Sequence, residues 1–140
     1  MSCNGLTTLA PLSSLKHLLK LNASSNKLTQ MLDFEPPAAL EWVDLSDNQI
    51  TKISNVEKNP YLRQLFLDKN QITQIENIKQ NKNLRVLSLN ENQIKRIENI
   101  EEVALEELYL AKNQLTKITG LTALPFLRTL DMSHNHITYL

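Results

Sequence analysis

The sequence predicts an α/β-class solenoid, a parallel sheet along one side with short 3-10 or loop segments returning along the other. Three observations lead there. Asn26, Asn48, Asn70, Asn92, Asn113 and Asn135 recur at intervals of 22, 22, 22, 21 and 22 residues. Each follows leucine-like residues eight, five and three positions earlier, as in Leu62, Leu65 and Leu67 before Asn70. Two and five positions after the asparagine the apolar pattern resumes, as in Ile72 and Ile75. Internal periodicity of this length outweighs any residue-by-residue secondary-structure reading.

The strand comes first in each unit. Leu65-Phe66-Leu67 alternates in period two, which suits a strand with one face buried and one exposed. The turn follows, where the asparagine amide both donates and accepts and so can satisfy backbone groups that the bend leaves unpaired. Last is the return segment, where the three-residue spacing of Ile72, Ile75 and Ile78 suits a tight helical turn. Pro36, Pro37 and Pro60 fall in return segments, where a missing N–H costs no sheet hydrogen bond. No unit of this size buries its leucines alone, so units must stack at the strand spacing of about 4.8 Å and share one core.

Leu6, Leu9, Leu12 and Leu15 carry the return-segment spacing upstream of the first strand. Residues 1–140 are therefore read as a single domain of about six repeats. The chain stops at Leu140 with no polar capping unit, so the reading includes the expectation of a fragment lacking its C-terminal cap.

The run Leu84 to Ile97, LRVLSLNENQIKRI, resembles the leucine-rich-repeat family, in particular the 22-residue class found in protein phosphatase 1 regulatory subunits and axonemal dynein light chains. The run Leu21 to Ile50, with its NAS-NKLT and VD-S-NQI phrases, is similar to the repeats of leucine-rich-repeat proteins that also carry a guanylate kinase domain. The resemblance implies a curved solenoid with a concave sheet, used to bind protein partners, and a setting in cilia or flagella.

Composition narrows the function classes. Lysine plus arginine and aspartate plus glutamate both number 15, so no overall field favours nucleic acid or an anionic membrane. No apolar stretch approaches the length of a membrane span, and Met1 to Leu12 has no secretory pattern. Cys3 is the only cysteine, which fits a reducing compartment, so the expected location is the cytoplasm, with the cilium or flagellum and the nucleus left open. Asn22-Ala23-Ser24 matches a glycosylation acceptor but is read as a chance triplet.

No catalytic constellation emerges, and no cofactor or metal is expected. Only Gly5 and Gly120 occur, too few for a phosphate-cradling loop. His17, His134 and His136 lack further ligands at metal-site spacing. Asp131, Ser133 and His134 lie almost side by side, leaving no base held between nucleophile and acid.

The informative positions lie between the strand leucines and must face the concave side. One column reads Lys20, Trp42, Gln64, Val86, Glu107, Thr129, and the next Asn22, Asp44, Phe66, Ser88, Tyr109, Asp131. A solvated face would be polar throughout. Trp42, Phe66, Val86 and Tyr109 break that rule and, with Asp44 and Asp68, form the candidate protein-binding patch. The alternative, that the aromatics merely stiffen the sheet, stays open here. The sequence thus points to a non-catalytic, monomeric scaffold binding a protein of unknown identity. A phosphatase-targeting subunit and the recognition domain of a larger enzyme are the other readings.

Overall fold

The computed structural model describes residues 3–35 and 39–138. Pro36, Pro37 and Leu140, used above for the register and the chain end, lie outside them. Six strands, β1 (Lys20–Asn22), β2 (Trp42–Asp44), β3 (Gln64–Phe66), β4 (Val86–Ser88), β5 (Glu107–Tyr109) and β6 (Thr129–Asp131), form one sheet in chain order. All neighbours are parallel. The middle residue of each strand, from Leu21 through Val43, Leu65, Leu87 and Leu108 to Leu130, aligns with its neighbours, so the spacing of the sequence becomes the register of the sheet.

The shorter fourth interval does not disturb this register. Ile78 to Ile100 is still 22 residues, whereas Leu84 to Leu105 is 21, so the missing residue falls in the segment that leads back to the strand. Leu87 and Leu108 remain paired.

The opposite side carries 3-10 segments in some return segments and irregular backbone in others: Ile72, Ile75 and Ile78, whose spacing suggests a tight helical turn, lie in non-helical backbone, with Asn77 left-handed at φ 60° just before Ile78. The 3-10 segments are Ala10–Ser14, Val56–Lys58 and Leu121–Ala123. The last two are entered through left-handed residues, Asn55 at φ 61° and Gly120 at φ 78°. A Cβ on Gly120 would stand 2.6 Å from the Ile97 carbonyl oxygen, so the close approach excludes a side chain there, and the left-handed conformation favours glycine.

Between sheet and turns runs one continuous core. Strand leucines such as Leu65 and Leu87 and return-side isoleucines such as Ile50, Ile72 and Ile94 are fully buried. The sixth repeat differs: Leu127, Leu130, Met132 and Ile137 pack on the core only partly buried.

Candidate functional site

The turn after each strand positions the concave face. Ser25, Asp47, Lys69, Glu91, Lys112 and His134, each directly before a turn asparagine, all adopt a left-handed backbone with φ from 52° to 57°; this places Lys69 at 52° and Asp47 at 57°. That conformation costs an ordinary residue roughly 1–2 kcal/mol. The asparagine that follows holds it in place. Asn70 Nδ2 donates to the carbonyls of Leu45, Leu67 and Asp68 at 3.0, 3.1 and 3.2 Å, and its Oδ1 accepts from the N–H of Ile50 at 2.9 Å.

Asn48, Asn92, Asn113 and Asn135 repeat the pattern, each bonding its own turn and the preceding repeat. At the upstream end Asn26 Oδ1 accepts from the N–H groups of Asn4 and Leu6. All but Asn135 are buried.

A second set of asparagines stiffens the far side. Asn55, Asn77 and Asn99, themselves left-handed, donate to the carbonyls of Met31, Ile53 and Ile75 at 3.2, 2.7 and 2.8 Å. Gly120 takes the next place in that column and packs directly on the Ile97 carbonyl. Asn59 and Asn81, by contrast, are wholly buried, with Nδ2 groups bonded to main-chain carbonyls and Oδ1 atoms that have no hydrogen-bond partner among the described residues. The sequence reading passed over these residues, although Asn55, Asn77 and Asn99 share the interval of 22.

On the concave face Trp42, Phe66, Val86 and Tyr109 are all partly buried and sit on four consecutive strands. They do not share one column. Trp42 and Val86 occupy the first position of their strands, Phe66 and Tyr109 the third, so the apolar groups zigzag across the sheet. The Trp42 and Phe66 rings meet at 5.7 Å between centroids, tilted by 48°. Phe66, Val86 and Tyr109 line a shallow depression of about 310 Å³ together with Asp68, Ser88 and Glu107.

The acidic groups are partly occupied by the protein itself. Asp44 Oδ1 accepts from the Ser46 N–H at 2.9 Å, and Asp131 Oδ1 does the same from Ser133, which holds the Asp131 carboxyl below the usual range. Where the strand ends in Ser88 or Tyr109 no such carboxylate exists, and a side chain of the preceding repeat serves instead. Asp68 Oδ1 accepts from the Ser88 hydroxyl at 2.6 Å and the Asn90 N–H at 2.8 Å, and Asn90 Oδ1 accepts from the Ala111 N–H. Partial burial pushes the Asp68 carboxyl up, with the Ser88 and Asn90 bonds opposing the rise. The Tyr109 hydroxyl donates to Glu107 at 2.6 Å, which raises its own pKa. Across the three concave positions of each repeat stand four carboxylates, Asp44, Asp68, Glu107 and Asp131, and one cation, Lys20.

Among the described residues no group of three or more histidine, cysteine, aspartate or glutamate side chains is placed to hold a metal ion. His134 and His136 flank the last turn on the exposed side.

Residues 39–80 and 103–140 match the family described as Leucine Rich repeats (2 copies), and residues 80–95 match Leucine Rich repeat. A comparison with curated proteins finds no match. An internalin from Listeria monocytogenes superposes with a TM-score of 0.84 at 23% identity, covering 97% of this chain and 44% of its own. A leucine-rich-repeat protein from Leptospira interrogans gives 0.75 at 32% identity, over 89% of this chain and 33% of its own. TLR13 in its complex with ssRNA13 gives 0.78 at 29%, over 92% and 20%. This chain spans less than half the length of each.

Proposed function

From the premise that this chain belongs to the leucine-rich-repeat family, whose fold is a general protein-interaction scaffold, we propose that it is a non-catalytic module that seats a protein partner on its concave face. The observation that carries this reading is the zigzag of Trp42, Phe66, Val86 and Tyr109, partly exposed on a sheet whose backbone is fixed from both ends. Aromatic groups on a rigid support bury much area on binding at little rotamer cost. The surrounding carboxylates favour a partner segment carrying lysine or arginine. RNA, which TLR13 holds in its complex, is disfavoured here by the same four carboxylates.

The finer setting rests on family likeness in the repeat phrases. It favours a cytoplasmic protein that docks on ciliary or flagellar machinery. Affinity capture with the wild-type chain beside a Trp42→Ala, Phe66→Ala double variant tests both levels. Loss of a partner by the folded variant supports the concave site, and equal capture by both overturns it. Tubulin or dynein chains in the lost fraction would support the axonemal setting. Phosphatase activity there would favour a targeting subunit instead.

A further inference from the structure

We propose that the return segments of the last three repeats carry a second site, for a compact anion bearing two phosphoryl groups, formed by Lys95, Arg96, Lys117 and His136. A surface depression of about 520 Å³ is lined by Lys95, Arg96, Gln114, Thr116 and His136. A second, of about 260 Å³, shares Lys95, Arg96 and Thr116 and adds Lys117 and Thr119. The two are one basic concavity. Every ionisable side chain that lines it is cationic or a histidine, in a protein of zero net charge.

These cations are uncompensated. Lys82, Arg85 and Lys112 have carboxylate partners in Glu102, Glu106 and Glu91 at 2.8, 3.7 and 3.4 Å. Lys95, Arg96 and Lys117 form no ion pair among the described residues. Their place in the repeat makes the concentration specific: the third and fourth positions after the turn asparagine are Thr29-Gln30, Thr51-Lys52 and Thr73-Gln74 in earlier repeats, then Lys95-Arg96 and Thr116-Lys117. One cation precedes the cluster at these positions, and three make it.

The chemistry fits phosphoryl oxygens. Arg96 offers a planar fork of donors and the lysines compact charges, while Gln114 and Thr116 add neutral donors. Each phosphomonoester carries roughly −1.5 to −2 at neutral pH. Two such groups balance the three fixed cations, with the His136 ring offering a further N–H donor. One phosphate would leave cations unmatched. A polynucleotide would need a continuing basic stripe, whereas the return segment before it presents Glu76 and its own fourth-repeat segment turns acidic beyond Arg96, at Glu98 and Glu101.

Pyrophosphate is the probe, titrated by calorimetry and by backbone-amide NMR at low ionic strength, with sulfate as the control for general screening. The expected result is saturable one-to-one binding with shifts confined to residues near 95, 114–119 and 136. Lys95→Ala with Arg96→Ala should weaken it about tenfold or more, as should Lys117→Gln to a lesser degree, because charge-assisted bonds are lost. Lys52→Ala removes a cation from the matching position of the second repeat and should leave affinity unchanged. All of these side chains are exposed, so the variants should fold, and circular dichroism of each checks that they do. Binding that never saturates, or that falls equally in Lys52→Ala, overturns the site. Soluble inositol trisphosphate, compared with vesicles containing phosphatidylinositol bisphosphate and with phosphatidylserine vesicles of equal charge, decides whether the anion is free or a lipid headgroup.

Discussion

Asn70 shows what one amide does in this protein. Its Nδ2 reaches carbonyls in two repeats and its Oδ1 fixes the N–H of a third segment, Ile50, so removing it strands four main-chain contacts in the core. Asn70→Ala should destabilise by about 1–3 kcal/mol in urea titrations. Asn135 makes the same bonds but is only partly buried, so water can replace them and Asn135→Ala should cost less. Equal, negligible losses at both would contradict the role assigned to the buried amide. The turn asparagines were legible because nothing but a repeated backbone need keeps one residue type at a fixed interval. Their reach into the preceding repeat was not, since it depends on how one turn lies over another. Asp68 behaves differently. Burial raises its carboxyl, so the folded chain takes up that proton more readily than the unfolded one, and the stabilisation present at low pH is lost as pH rises through the raised value. Asp68→Asn keeps an acceptor for Ser88 and Asn90. It should be at least as stable as the wild type at neutral pH, with any advantage shrinking as the pH falls towards about 4. A deficit that is independent of pH would mean that the hydrogen bonds outweigh desolvation.

The return turn and the strand make contrasting demands. Gly120 enters its 3-10 segment at φ 78° with the Ile97 carbonyl where a Cβ would go, so Gly120→Ala should destabilise by about 2 kcal/mol or more in the same titration. A neutral result would show that the turn relaxes freely. On the strands, alternation alone identified which side chains face outward, and the spacing of the strand leucines fixed which ones lie beside each other across β1 to β6. The diagonal packing of Trp42 on Phe66 was beyond that reach, because it depends on the angle between neighbouring strands. So was the burial of Ser88, a polar residue in an exposed column that Asp68 binds. The ring pair means that the aromatics contribute to stability as well: a double-mutant cycle on Trp42 and Phe66 should give a coupling of about 0.5–1.5 kcal/mol. Partner affinity should fall by about 2 kcal/mol or more for each alanine variant, and by well under 1 for Glu101→Ala on the return side. Coupling in the melting curve with unchanged affinity would make the patch a brace for the sheet.

Across the whole molecule burial is uneven. The core side chains of the central repeats are sealed, whereas Leu127, Leu130, Met132 and Ile137 remain partly open. Amides of residues 127–138 should therefore exchange fastest within the ordered stack, followed by hydrogen-exchange mass spectrometry on the isolated chain. Protection there equal to that around Leu65 and Leu87 would contradict the burial. The asparagine bonds that join repeats link positions 19 to 25 apart, as with Ile94 to Asn113 and Asn70 to Leu45. This has a kinetic consequence. Every layer added to a growing nucleus closes a loop of nearly the same size, an entropic cost of about 3 kcal/mol that does not rise with chain length. Folding can start at any adjacent pair of repeats and zip in both directions, each finished layer serving as the template for the next. A defect such as Asn70→Ala in the middle of the stack then acts as a break in a zipper. It should weaken the coupling between the halves on either side, seen as a broader urea transition of lower slope beside the loss of stability.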